Sequence, residues 1–490
     1  MRTIALLAGL AMFAAVSADT TPESLYREHC LSCHGADRFG GMGPALLPES
    51  LDRVRSETAK KVIKEGRAAS QMPAFHDKLG EAEIESLTKY LYSPPQVPPV
   101  WTGENIEATR LVSVSPDPEA RPGFAADPLN LFLVVESGDH HISVVDGDKL
   151  EPIHRFPTRY ALHGGPKYSP DGRYVYLASR DGWITKFDIY RLLITAEVRA
   201  GLNTRNVAVS EDGCHLLVGN MLPRNLVLLS AEDLSLERII PVANDAGATS
   251  RVSAVYQAAP RKSFVAALKD IPEMWELTLA PDGVATRRYP LPAPAEDFAF
   301  DGNYRYVIGA PRDGSGAFVL DLDTGDITAR PQLTGMPHLV SGIFWESGGR
   351  TVFGTQDLMK GGVTILSPAD WSLVKRIETL GPGFFMRGHE HSRFVWSDVF
   401  SGPNKDTLHV IDRETLEIVK NVKPAPGRTA GHVEFDRYGK YALVSVWEMD
   451  GAIVVYDAKT LEEVKRLPMS KPVGKYNVFN KINRSSGTSH

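Results

Sequence analysis

The stretch Asp171-Gly172-Arg173-Tyr174-Val175-Tyr176-Leu177-Ala178-Ser179-Arg180-Asp181-Gly182-Trp183-Ile184-Thr185-Lys186-Phe187-Asp188 decides the fold. It reads as an Asp-Gly turn, a short strand, a second turn and an apolar strand that stops at an acidic residue. The closing pair recurs as Val145-Asp146, Phe187-Asp188, Leu229-Ser230, Trp275-Glu276, Leu320-Asp321, Leu366-Ser367, Ile411-Asp412 and Tyr456-Asp457. Neighbouring pairs lie 42 to 46 residues apart, the length of a four-stranded propeller blade. Eight pairs predict eight blades, and the expected class is mainly β. Turn signals at Asp212-Gly213, Asp282-Gly283 and Asp301-Gly302 fall between the pairs, where hairpins are needed. A propeller gathers loops from every blade around its axis, so ligand chemistry is expected there.

Upstream of the repeat the pattern is helical. Thr21-Pro22 reads as an N-cap followed by proline in the first turn, and Ile84, Leu87 and Leu91 recur at helical spacing within Glu81 to Tyr92. Between these helices lies Cys30-Leu31-Ser32-Cys33-His34, the spacing of a covalent haem c site. Cys30 and Cys33 would add across the porphyrin vinyl groups, with His34 as the proximal iron ligand. A structural disulfide and a thioredoxin-type redox pair are the alternatives. Monohaem cytochromes c often place their second ligand in a Met-Pro loop, and Met72-Pro73 supplies one. Met42 competes for that role. The chain therefore divides into residues 1–18, a signal peptide; 19–93, a small all-α cytochrome c domain; 94–104, a Pro-rich linker; and 105–490, the propeller.

Composition narrows the class. Met1 to Ala18 carries Arg2, an apolar run and the small-residue site Val16-Ser17-Ala18, which predicts export to the periplasm. No later apolar run is long enough for a membrane span. A net charge of −6 leaves no nucleic-acid footprint. Two of the three cysteines belong to the haem motif, and Cys214 is expected to be a buried, inert thiol. His154, His215, His389, His391 and His409 are expected at the surface, and the tryptophans of the blade strands in the core.

A cytochrome c domain ahead of an eight-bladed propeller resembles the cytochrome cd1 nitrite reductases, over nearly the whole mature chain. The resemblance rests on Ala161-Leu162-His163 followed by Asp171-Gly172-Arg173-Tyr174 and Arg180-Asp181, on Asn203-Thr204-Arg205-Asn206-Val207, and on the closing segment Pro472 to Val478. It implies a haem d1-type macrocycle in the propeller, His163 as its proximal iron ligand, and Arg180 and Arg205 as partners of its carboxylates. Bidentate guanidinium–carboxylate pairing suits such a ring.

The departures matter more. Glu296 stands where the reductases have the first of two distal histidines, whereas His338 keeps the second. His432, in Ala430-Gly431-His432-Val433-Glu434, is additional. His140 and His141 stand where a haem-binding arginine is usual, with Arg159 a replacement charge. This pattern is similar to the dehydrogenase branch of the family, which implies dihydro-haem d1 as substrate and oxidation of its propionate to an acrylate. Electrons would leave through haem c. His338 is the first choice for proton acceptor, since histidine titrates near neutral pH. His432 is either the second choice or the sixth iron ligand, and Glu296 either a base or a solvated carboxylate. Arg387 and Arg428 lie in loops within reach of the funnel. Partners implied are a periplasmic electron acceptor and transient contact with a cytochrome cd1 nitrite reductase. The alternatives are a haem d1 carrier that delivers to the reductase, or a nitrite reductase with an altered distal site.

Overall fold

The computed structural model describes residues 21–484, apart from 42, 52–53, 67–71, 160, 282, 312–313 and 334. The expected signal peptide, the rival ligand Met42 and the turn residue Asp282 lie outside the described residues.

Eight sheets form the large domain, as the repeat predicts. Blades 1 to 8 span 131–157, 167–199, 203–241, 252–290, 297–329, 343–377, 386–422 and 430–469. The strand Pro472–Asn477 pairs antiparallel with Leu131–Glu136, so the C-terminal segment supplies the first strand of blade 1 and closes the ring. Inner strands are apolar on both faces because a neighbouring blade covers each face; Leu131–Glu136 is buried throughout. Outer strands face water on one side and alternate, as in Glu417–Val422.

The closing pairs have a physical cause. In every blade but the fourth, the acidic or hydroxyl residue stands at the end of the third strand, where the turn begins. Asp146 Oδ1 accepts from the backbone N–H of Asp148 at 2.8 Å and of Lys149 at 3.2 Å. Asp188, Asp412 and Asp457 repeat this geometry at the same place in blades 2, 7 and 8. The fourth residue after the mark then adopts positive φ: Leu150, Leu192, Leu234, Gly325, Trp371, Leu416 and Leu461. Side-chain capping stabilises that left-handed turn and fixes the hairpin register. Trp275-Glu276 is different. It lies inside the long strand Glu273–Ala280, and Glu276 is buried against Arg261, Ser263 and Tyr289. Blade 4 turns later, at Gly283 (φ 142°).

The N-terminal domain packs Pro22–His29 against Glu81–Tyr92 around Leu25, Tyr26, Ile84, Leu87 and Leu91. Thr21 Oγ1 accepts from Ser24 N–H at 3.3 Å, the expected cap. The domain docks on the propeller through Phe39, Ala45 and Leu47, which meet Leu202, Leu222 and Trp101. Trp101 Nε1 donates to Arg199 O at 2.9 Å, and Thr102 caps the helix Gly103–Ala108, whose Ile106 enters the core of blades 2 and 3. The docked segment thus begins inside the stretch assigned to the linker. Among the described residues, no helix is long and apolar enough to cross a membrane.

Several burial expectations are corrected. Cys214 is exposed, because it sits in the Asp212-Gly213 turn ahead of its strand, where Asp212 Oδ1 accepts its N–H. His389 and His409 are buried. His409 is held between Asn421 Oδ1 and the N–H of Leu380, which satisfies both ring nitrogens. Trp447 is not core: it lines the axial cavity described next.

Candidate haem sites of the cytochrome domain and the propeller axis

Cys30 and Cys33 are both free, without a disulfide between them. The helix that carries them bends at Cys30 and ends at His34, a buried ring. His34 Nδ1 lies 2.8 Å from Pro44 O; a carbonyl only accepts, so Nδ1 carries the proton and Nε2 keeps its lone pair. Gly43 is required beneath this ring, since a Cβ there would lie 2.7 Å from His34 Cε1. Met72 is partly buried and packs on the cluster that contains Cys30. This donor set fits a covalent haem c.

A cavity of about 530 Å³ opens on the propeller axis. Every blade contributes to it, through its first strand, the loop leading into that strand, or the end of its second strand and the turn that follows. Blade 2 gives His163 and Arg180, blade 3 Arg205, blade 4 Tyr256, blade 5 Glu296 and Asp297. Blade 6 gives His338, blade 7 Phe384 and Phe385, blade 8 His432 and Trp447, and the closing strand Tyr476.

His163 Nδ1 lies 2.6 Å from Arg205 O, which fixes the proton on that nitrogen and leaves Nε2 as the acceptor. Arg205 Nη1 donates to Nε2 at 2.9 Å, so a metal at Nε2 takes the place of a cation already attracted there. His432 stands on a β-bulge with φ 52°, left-handed backbone that a non-glycine residue adopts only at a cost. Its N–H donates to Asp398 Oδ2 at 3.1 Å, its carbonyl accepts from Lys475, and its buried Nδ1 has no hydrogen-bond partner among the described residues. Burial, with Lys475 adding repulsion, holds this imidazole neutral, far below its ordinary range.

His338 precedes the short helical turn Leu339–Ser341. Its Nδ1 donates to Phe384 O at 2.5 Å, so Nε2 is the basic nitrogen. Burial pulls its pKa down to about 4. Glu296 lines the same cavity, but its carboxylate is held by Lys269. Imidazoles from three blades, two guanidinium groups and aromatic walls around one cavity fit a planar, carboxylate-bearing macrocycle. The unpartnered Nδ1 of His432 is the observation that tests this fit, since a buried ring nitrogen with no partner is costly unless a ligand claims it.

Other expectations fall elsewhere. Arg159 pairs with Glu197 at 2.7 Å and stacks on Trp183, and neither it nor His140 nor His141 lines the cavity. Arg387 is buried in an ion pair with Glu434, and Arg428 pairs with Asp450 at the surface. Sequence reasoning missed Tyr256, Asp297, Phe384, Phe385 and Tyr476. Counting back two strands from the closing pairs of blades 4 and 5 would have pointed to Tyr256 and Asp297, whereas Phe384, Phe385 and Tyr476 lie in a loop and in the closing strand, which the period does not mark.

Such a molecule is a haem-binding β-propeller with an appended c-type cytochrome. The chain belongs to the family described as the cytochrome D1 heme domain, which matches residues 126–481. Residues 17–91 match the family of cytochrome c oxidase, cbb3-type, subunit III. The dihydro-heme d1 dehydrogenase of Pseudomonas aeruginosa is 55% identical over 496 residues and covers 100% of both chains. A nitrite reductase of Stutzerimonas stutzeri is 26% identical, covering 97% of this chain and 96% of its own. The solved structure of dihydro-heme d1 dehydrogenase NirN in complex with DHE superposes with a TM-score of 0.90 at 55% identity, covering 94% of this chain and 100% of the other.

Proposed function

We propose that this chain is a periplasmic dihydro-haem d1 dehydrogenase, which oxidises a propionate side chain of its substrate to the acrylate. The conversion removes two protons and two electrons from adjacent carbons. The observation that carries the reading is His338: neutral, aimed into the cavity by the Nδ1 bond to Phe384 O, with Nε2 as the open base. A nitrite reductase needs a second proton donor beside it, and here Glu296 is tied to Lys269.

Arg180 and Arg205 bind the substrate carboxylates, and His163 and His432 flank its iron. With both imidazoles held by the iron, small anions would find no open site there. Covalent haem c at Cys30, Cys33, His34 and Met72 supplies a one-electron outlet. The aromatic wall of Phe384, Phe385, Trp447 and Tyr476 excludes water from the reacting side chain. A periplasmic acceptor collects the electrons, and the product passes to a cytochrome cd1 nitrite reductase by transient contact.

Incubation of the purified protein with dihydro-haem d1 and an electron acceptor tests the proposal. The mature haem d1 spectrum should appear with the wild type and be lost with His338→Ala. Tight binding without conversion would instead mark a carrier, and rapid nitrite turnover would mark a reductase.

A further inference from the structure

The dehydrogenase reading leaves a proton on His338, at the bottom of a cavity that the substrate itself covers. A second cavity, of about 680 Å³, lies further along the axis, and Tyr256 and Pro166 line both. We infer that Asp297 and Tyr256 form the proton outlet of the catalytic cavity, opening onto Lys167 in the second one. This deepens the proposed function and rests on it.

The connections are as follows. Asp297 lines the catalytic cavity with His338, and its Oδ2 accepts the N–H of Val340, two residues beyond that histidine, at 2.9 Å. The Tyr256 hydroxyl donates to Asp297 Oδ1 at 3.4 Å. Lys167 Nζ stands 5.9 Å from the centre of the Tyr256 ring, among the residues of the second cavity. The groups facing Asp297 are the Phe298 and Val340 N–H donors, the Arg205 guanidinium, the Tyr256 hydroxyl and Glu296. Nothing in the oxidation chemistry uses Asp297, Tyr256 or Lys167.

The proton moves downhill along this line. Burial pulls His338 to about 4, pushes Asp297 up to about 6 and lowers Lys167 to about 8. An imidazolium at His338 therefore gives its proton to the Asp297 carboxylate: an N–H bond breaks and an O–H bond forms. Asp297 then returns to carboxylate as its proton passes to the Tyr256 oxygen, while the Tyr256 hydroxyl proton goes to water or the neutral Lys167 amine in the second cavity. No electrons move in these steps, and the relay runs twice for each substrate oxidised, once for each proton that His338 accepts.

Two measurements test the outlet. Infrared difference titration of the haem d1-free protein should show a carboxyl titrating near pH 6 that vanishes in Asp297→Asn and shifts in Tyr256→Phe. In single-turnover stopped flow with dihydro-haem d1, an electron acceptor and a pH-indicator dye, dye protonation should match substrate oxidation in the wild type. In Tyr256→Phe, an isosteric change, it should lag roughly tenfold, and Asp297→Asn should remove the limb of the kcat–pH profile near 6. Lys167→Met should show the same lag as Tyr256→Phe. Coincident dye and oxidation traces in all three variants overturn the outlet, as does the absence of a carboxyl titrating near 6. Failure of the wild type to oxidise the substrate overturns the dehydrogenase reading instead, and the infrared titration still decides whether the carboxyl behaves as inferred.

Discussion

If the closing acids hold the blades by capping their turns, removing one has a cost that depends on what else it binds. Asp457 Oδ1 accepts the N–H groups of Lys459 at 2.9 Å and Thr460 at 2.8 Å, its carboxylate also meets the Thr460 hydroxyl, and no guanidinium binds it among the described residues. Water reaches this turn, so Asp457→Ala should cost about 1–2 kcal/mol, in the range of a lost helix-type cap. Asp188 makes the same pair of turn bonds, to Tyr190 and Arg191, and in addition binds Arg173 Nη2 at 2.9 Å and Arg191 Nε at 2.8 Å. The Arg173 side chain is only 6% exposed, so Asp188→Ala strands a buried guanidinium and should cost about 3–5 kcal/mol. Asp188→Asn keeps a turn acceptor but loses the charge, and should fall between the two. Urea unfolding followed by tryptophan fluorescence, with equal slopes for all variants, reads these differences. Losses for Asp188→Ala and Asp457→Ala within about 0.5 kcal/mol of each other would refute the argument.

Three further outcomes follow from the site and the docking. His338 has a folded pKa of about 4, below its ordinary value of about 6.5, so the unfolded chain binds more protons between those limits. The contribution of His338 to stability should therefore be level above pH 6.5 and fall by about 3 kcal/mol as the pH drops to 4, read as the difference between the wild type and His338→Gln in thermal melts across pH. Trp101→Ala removes the ring between the two domains and its bond to Arg199 O, and should speed proteolysis within 94–104 several-fold without lowering the propeller melting temperature. Cys30→Ala or Cys33→Ala should leave a single thioether and shift the pyridine haemochrome band of the purified protein, while His34→Ala should keep the covalent haem but abolish its low-spin spectrum.

What was legible in the sequence was whatever is made by local chemistry. The closing pairs announce blades because an Asp or Ser side chain must reach N–H groups two and three residues on, a constraint written in consecutive residues. Cys30 to His34 is readable for the same reason. Trp275-Glu276 fitted the period by composition alone, and the longer hairpin of blade 4 moved the real turn to Gly283. The cavity was harder to read. Its residues come one or two from each blade, on apolar strands where Tyr256 or Phe385 looks like packing. The histidines His163 and His338, found by resemblance, and His432, found as a departure from it, do line it, whereas Arg159 has its own carboxylate, Glu197, contributed by the fourth strand after it. Burial of His389 and His409 was likewise invisible, because their partners are supplied by loops and strands distant in the sequence.

The ring is closed across a long stretch of chain: Pro472–Asn477 pairs with Leu131–Glu136, more than three hundred positions earlier. That pairing also delivers Tyr476 and Gly474 to the wall of the catalytic cavity. The chain therefore has no complete tetrapyrrole pocket until its C-terminus has found blade 1, a contact of very long sequence separation and slow to form. Substrate capture is timed by ring closure, so a partly folded chain does not sequester a reactive macrocycle it cannot yet process.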